Sequence, residues 1–416
     1  MKRALLFTLF FFLASLPFYT SAQDKKNFLP GADMLIKEKL QLLKGKNIGI
    51  ITNHTGILKK GTHLADTLCR IEGINVKYLF SPEHGIRGNY EAGAGVENGT
   101  DLKTGIKVIS IYGRNYRISK EILSELDLLI FDIQDVGARY YTYISTLYYA
   151  METCAENKVP LMVLDRPNPI APIREEGPLT EKGFQSFIGI APLPIVHGMT
   201  AAEIARFFNY LFEKDKKPLC SLQLIKMQNY SRKKFFDSYF TNWIKPSPNM
   251  SSLETAIAYP GTCLIEGTNV SEGRGTKDPF LLIGAPFISS HKLISALKGL
   301  GIEGIELEPA EFTPKDIPGT VTNPKFENEL CRGIKIKIMD RYKFEPVKFG
   351  VKLIYTLQSL FPEFKFIAAS IDKLWGSGGL RKMIENGDKP EKIFNKWNKE
   401  LNNFINLKKK FLLYYK

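Results

Sequence analysis

Short runs rich in Ile, Leu and Val alternate with segments of helical period through the first 290 residues. The runs Asn47–Ile51, Val76–Phe80, Lys107–Ile111, Asp127–Phe131 and Val159–Leu164 predict strands. Between them His63–Ile71, Ser119–Leu126 and Tyr141–Asn157 predict helices. The strand runs are apolar on both faces, which calls for a parallel sheet covered by helices on each side. In Met199-Thr-Ala-Ala-Glu203 the Thr200 hydroxyl and Glu203 carboxylate form a capping box, opening a helix through Ala205, Phe208 and Leu211.

The texture then changes. Trp243–Gly284 is dense in Gly, Pro and polar residues and reads as an irregular stretch, too polar to be core. Beyond Ser290, Gly333–Met339 alternates as a strand, Val347–Leu360 has helical period, and Phe364–Ala368 reads as another short strand. Pro390–Tyr415 is a Lys-rich amphipathic helix with Ile393, Trp397, Leu401 and Phe404 on one face. These patterns predict an α/β domain over residues 23–288 and a smaller α+β domain over 289–416.

Residues 1–22 stand outside that scheme. Lys2-Arg3, the apolar run Ala4–Leu16 and the small residues Thr20-Ser-Ala22 make a secretory signal peptide, so the mature protein is expected in the periplasm or secreted. No later stretch is apolar for long enough to span a bilayer. With 44% hydrophobic and 24% charged residues the remainder is an ordinary globular chain, too long for one core. The formal charge is +14, or +12 without Lys2 and Arg3, which suits a polyanionic envelope polymer as well as a merely Lys-rich surface. Export disfavours nucleic acid as a partner. The five cysteines are widely spaced and odd in number, against a disulfide framework, and none reads as a nucleophile or metal ligand.

Four predicted strands end in polar clusters. They are Ile51-Thr-Asn-His-Thr-Gly56, Ser81-Pro-Glu-His-Gly85 with Arg87, Phe131-Asp-Ile-Gln-Asp-Val-Gly-Ala-Arg-Tyr-Tyr-Thr-Tyr143 and Leu164-Asp-Arg-Pro-Asn-Pro169. In a parallel sheet all four project at one carboxyl edge and pool their groups in one cleft. Carboxylates and amides there (Asn53, Asp132, Gln134, Asp135, Asp165, Asn168) match sugar hydroxyls. Tyr140, Tyr141 or Tyr143 can pack on a pyranose face, and Arg87, Arg139 and Arg274 can clamp a ligand carboxylate.

Other chemistries fail on spacing. Gly93-Ala-Gly95 with Gly99 breaks the G-x-G-x-x-G pattern of dinucleotide sites. The five histidines show no zinc spacing, and no G-x-S-x-G elbow is present, so no cofactor or metal is expected. Carboxylate acid–base catalysis remains. Glu83, in a turn fixed by Pro82 and Gly85 against apolar strand ends that would raise its pKa, is the choice for proton donor in glycosidic cleavage. Asp132, Asp135, Glu266 and Glu272 are open alternatives for the second group, although Asp132 or Asp135 also suits helix capping.

Three of these clusters, from Ser81-Pro-Glu-His-Gly-Ile-Arg-Gly88 onward, join Pro246-Ser-Pro-Asn-Met250 and Leu264-Ile-Glu-Gly-Thr-Asn-Val-Ser-Glu-Gly-Arg-Gly275 in one order along the chain. In that order the chain resembles the NamZ-type exo-β-N-acetylmuramidases, glycoside hydrolases of peptidoglycan recycling. The resemblance implies a Rossmann-like catalytic domain with a smaller auxiliary domain. It implies release of N-acetylmuramic acid from non-reducing ends of muropeptides and other peptidoglycan fragments, with Glu83 as the catalytic glutamate. It extends the candidate binding set to His84, Asn249, Asn269, Glu266, Glu272 and, from Ile371-Asp-Lys-Leu-Trp-Gly376, Lys373. The rival expectation is an envelope protein that binds muropeptides without turning them over.

Overall fold

In the computed structural model, which describes residue 25 and residues 27–88, 97–113 and 115–415, the apolar runs form a seven-stranded sheet. The proposed signal peptide and Gly93-Ala-Gly95 lie outside the described residues. The strands are β1 (Asn47–Thr52), β2 (Asn75–Ser81), β3 (Gly99–Thr100), β4 (Lys107–Ser110), β5 (Leu128–Asp132), β6 (Leu161–Leu164) and β7 (Leu222–Ile225). Their spatial order is β3-β4-β2-β1-β5-β6-β7, parallel throughout except for β3, an antiparallel edge on β4. The order runs outward both ways from β1, so winding reverses between β1 and β5, where Thr52 lies opposite Asp132. Open sheets of this kind bind ligands beyond the strand ends at such a point.

Alternate strand residues serve two cores. Ile48, Ile50, Leu79, Leu128 and Ile130 pack with Leu64 and Leu68 of α1 (Leu64–Leu68). Ile51, Phe80, Leu129, Phe131 and Val163 face the other way, onto the cluster that holds α2 (Lys120–Leu123), α3 (Tyr143–Asn157) and α4 (Ala201–Lys214). The capping box at the start of α4 is formed as its sequence predicts.

The second sheet is antiparallel, ordered β8-β10-β9, from β8 (Leu282–Ala285), β9 (Ile305–Phe312) and β10 (Cys331–Ile338). Around it lie α5 (Leu253–Thr262), α6 (Ser290–Lys298), α7 (Pro346–Leu360), α8 (Ala368–Trp375), α9 (Gly379–Glu385) and α10 (Pro390–Lys408). Ile393, Trp397, Leu401 and Phe404 of α10 are all buried, as the amphipathic pattern requires.

Two expectations are corrected. Trp243–Gly284 contains a helix, α5, whose Leu253, Ala256 and Ile257 are core residues. Pro260 and Gly261 hide it from pattern reading, yet Gly261 is what the packing needs. A Cβ there would lie 1.8 Å from the Pro346 carbonyl oxygen, and one at Gly350 would lie 2.4 Å from that of Gly261, so α5 and α7 cross backbone to backbone. Phe364–Ala368 is no strand: Phe366 makes one isolated bridge to Thr268, and α8 starts at Ala368. β8, which precedes residue 288, pairs with β10 of the second sheet.

Candidate active site

β2 ends at Ser81 and delivers Glu83 through a tight turn closed by the Gly85 amide on the Pro82 carbonyl, 3.2 Å. His84 sits in this turn at φ +73°, a left-handed conformation that costs a non-glycine residue of order 1 kcal/mol and that clusters at functional sites. Glu83 is 8% exposed. The Tyr112 hydroxyl, just past β4, donates to its Oε1 at 2.9 Å, and the Thr142 hydroxyl, at the start of α3, donates to its Oε2 at 2.6 Å. Burial and the nearby carboxylate push the Tyr112 phenol far above its usual range, so it stays a donor.

Glu83 opens on a cavity of about 150 Å³. His84, Tyr140, Tyr141 and Thr142 line it from the first half of the chain, and Ser247, Asn249, Met250, Tyr259, Cys263, Glu266, Arg274 and Phe280 from the stretch that follows. Ile188 and, from α8, Leu374 close it. Wider depressions of about 460 Å³ beside Arg117 and 540 Å³ beside Arg332 lie elsewhere and bring together no comparable set of carboxylates, amides and aromatics.

Arg274 donates to Glu266 Oε1 from Nε (3.0 Å) and Nη2 (2.6 Å), with Glu272 at 3.4 Å. Burial opposes its charge, but these two carboxylates more than offset it and hold the guanidinium protonated. Lys325 binds the other Glu272 oxygen at 3.1 Å, which places Glu272 behind the cavity wall. Glu266 also accepts the Cys263 thiol at 3.7 Å. Among the described residues no group of three or more His, Cys, Asp or Glu is arranged to hold a metal ion.

The sheet edge thus gathers Glu83, His84, Tyr140, Asn249, Glu266 and Arg274 from the predicted set. Most of the others turn inward, because a polar group at a strand tip must first satisfy the loops around it. Arg87 pairs with Asp101 and Asp66. Arg139 is fully buried, its two Nη groups donating to four backbone carbonyls. Neither arginine reaches the ligand space. Asp132 is locked to Arg166 by two bonds of 2.6 and 2.9 Å. Asp135 caps the turn at Gly137 and lines a separate void of about 10 Å³; burial pushes its pKa up to about 7.

Further departures follow the same logic. Asn53 spans Thr55 and the Tyr143 hydroxyl, and Tyr143 in turn donates to Pro246, so that ring is structural and not a sugar platform. Gln134 and Asn168 bond loop carbonyls, and Asp165 caps α4 through Thr200 and Ala202 while accepting Tyr414. Asn269 ties to Glu363 and Lys365. Lys373 is exposed, and its neighbour Leu374 faces the cavity instead. Tyr140 touches the cavity but spends its hydroxyl on the Pro260 carbonyl.

Tyr112, Tyr259 and Phe280 carried no signal among the charged clusters. Tyr112 follows a predicted parallel strand, so the strand-end rule applied to Lys107–Ile111 points to it. Tyr259 and Phe280 lie in the stretch read as irregular.

A doubly wound sheet that presents a hydroxyl-flanked glutamate to a small cavity lined also by a second carboxylate, Glu266, an amide and aromatic rings has the form of a glycoside hydrolase site. The family profile described as "Exo-beta-N-acetylmuramidase NamZ, N-terminal" matches residues 48–254, and the corresponding C-terminal profile matches 257–414. The chain belongs to the NamZ exo-β-N-acetylmuramidase family. The peptidoglycan β-N-acetylmuramidase NamZ of Bacillus subtilis (strain 168) is 43% identical over 98% of this chain and 99% of its own. Two crystal structures of DUF1343 family proteins from Bacteroides fragilis NCTC 9343 share the fold. One has a TM-score of 0.83 at 28% identity, over 94% of this chain and 99% of its own. The other has a TM-score of 0.73 at 31% identity, over 93% and 99%.

Proposed function

We propose that this enzyme removes terminal N-acetylmuramic acid from the non-reducing ends of peptidoglycan fragments, with Glu83 as general acid and base. The 43% identical relative named for that activity supports the reaction class. The observation that carries the role of Glu83 is its position: a buried carboxylate on the cavity lining whose two oxygens both meet hydroxyls. A hydroxyl can donate or accept, so Tyr112 and Thr142 keep Glu83 in place whether or not it carries a proton. The protonated acid can pass its proton to the leaving oxygen, and the carboxylate so formed can take one from the attacking water.

Arg274 is the arginine the cavity offers to the lactyl carboxylate of the sugar, and Glu266 is the second carboxylate in reach of the same space. Residues from 247 to 280 line the cavity, which supports a groove blocked at one end, as cutting from a chain end needs. The pattern of residues 1–22 supports delivery outside the cytoplasm.

One preparation tests all of this. Expressed with its own N-terminus, the protein should be recovered from the envelope fraction beginning after Ala22, and should release the chromophore from a chromogenic β-N-acetylmuramide. Glu83→Gln should lower turnover by roughly two to four orders of magnitude. Binding without turnover in the wild type would favour the sugar-binding rival, full activity in the variant would remove Glu83 from the mechanism, and uncut cytoplasmic protein would exclude export.

A further inference from the structure

Two residues that line the cavity each carry a buried polar atom without a hydrogen-bond partner: the Tyr141 hydroxyl and Asn249 Oδ1. These residues are 7% and 3% exposed. Native proteins leave few such atoms, and one that persists calls for a reason. Here a single chemical group can supply it. We infer that Tyr141 and Asn249 together grip the 2-acetamido group of the sugar, Tyr141 donating to its carbonyl oxygen and Asn249 accepting from its N–H. The identity of that sugar rests on the function proposed above.

The polarity of both atoms is fixed by their surroundings. Asn249 Nδ2 donates to the Thr320 carbonyl at 2.9 Å, so the amide cannot flip and Oδ1 is the atom left over. Burial pushes the Tyr141 phenol well above its usual range, and it remains a proton donor. Ser247 and Tyr143 lie close enough to the hydroxyl to hold that rise back, but neither meets it in full hydrogen-bonding geometry. The Tyr141 ring is set edge-on between Tyr143 (5.1 Å, 88°) and Tyr259 (6.0 Å, 89°), so the hydroxyl has a fixed direction. One fixed donor and one fixed acceptor complement a secondary amide, which carries the reverse pair on one rigid plane. A site built this way rejects a ligand that lacks the amide, because both atoms then stay unpaired.

The test compares a chromogenic β-N-acetylmuramide with its counterpart bearing a hydroxyl at C2. Tyr141→Phe should lose roughly 100-fold in kcat/KM on the first and change little on the second. Its melting temperature should not fall, since the hydroxyl removed has no protein partner. Asn249→Ala should lower the same substrate ratio, a quantity indifferent to how much of a destabilised variant is folded. Equal losses on both substrates, or none on either, would overturn the inference. If the wild type cleaves neither substrate, the proposed function fails separately. Calorimetric titration with N-acetylmuramic acid and its deacetylated form then decides: preference for the acetylated sugar, lost in Tyr141→Phe, sustains the inference, and a wild type without preference ends it.

Discussion

At Glu83 two neighbours of different origin, Tyr112 and Thr142, meet one carboxylate. The Tyr112 ring packs on Tyr116 and Phe187, at 6.1 and 5.8 Å between centroids, and a phenylalanine keeps both contacts. Tyr112→Phe should therefore lower kcat about ten-fold, the scale of one hydrogen bond to a charged group, with KM and melting temperature little changed. An unaltered kcat would reduce Tyr112 to packing. Glu83 was legible from sequence because Pro82, Gly85 and the preceding apolar run fix a strand end, and such ends face ligands. Arg87 was misread by the same rule. Its partners Asp66 and Asp101 come from two other segments, and nothing in the local sequence announces an ion pair formed by folding.

Helices show the same limit one level up. The cap of α4 is local, Thr200 and Glu203 being three residues apart, and sequence suffices to place it. The cap of α7 is supplied from another domain. Its own N-cap, Glu345, makes no capping bond, and Glu176 instead accepts the Val347 amide at 3.0 Å and the Lys348 amide at 2.8 Å. Burial nonetheless raises the Glu176 pKa to about 7, against these two donors. Glu176→Gln places an amide N–H against one of those donors and should cost about 1–2 kcal/mol in denaturant unfolding near pH 5. The native state holds the Glu176 proton more tightly than the unfolded chain, so stability drawn from this group is lost as pH rises from about 4.5 to about 7. The glutamine does not titrate. Midpoints measured at pH 5 and pH 8 should show the advantage of the wild type over the variant shrinking or reversing at the higher pH; a larger wild-type advantage there would contradict the sign.

At the scale of the whole molecule, Arg139 is one of the groups that fasten the two domains together, and it does so beside the candidate cavity. Its Nη1 donates to Pro178 (2.6 Å) and Leu193 (2.9 Å), and its Nη2 to Leu374 (2.7 Å) and Trp375 (2.9 Å). The last two carbonyls end α8, where a cation also meets the negative end of the helix dipole. Burial pulls the guanidinium down only to about 10, so it remains charged at neutral pH. Sequence shows an arginine in a polar cluster; it cannot show carbonyls arriving from more than 230 residues away. Because Leu374 also lines the cavity, bonds that help to join the two domains also position part of its lining. Arg139→Met fills the space but leaves four buried carbonyls unpaired, and should cost about 3–5 kcal/mol. Arg139→Lys keeps the charge without the planar fork that reaches all four, and should fall between. Two of the three tryptophans, Trp375 and Trp397, pack together at 5.5 Å beside this joint, so their fluorescence reports its opening during denaturation. Turnover should drop in both variants at temperatures where they are still folded, because the α8 wall loses its anchor before the sheet does. A methionine variant with the wild-type unfolding midpoint and turnover would show that the domains are held, and the cavity shaped, by something else.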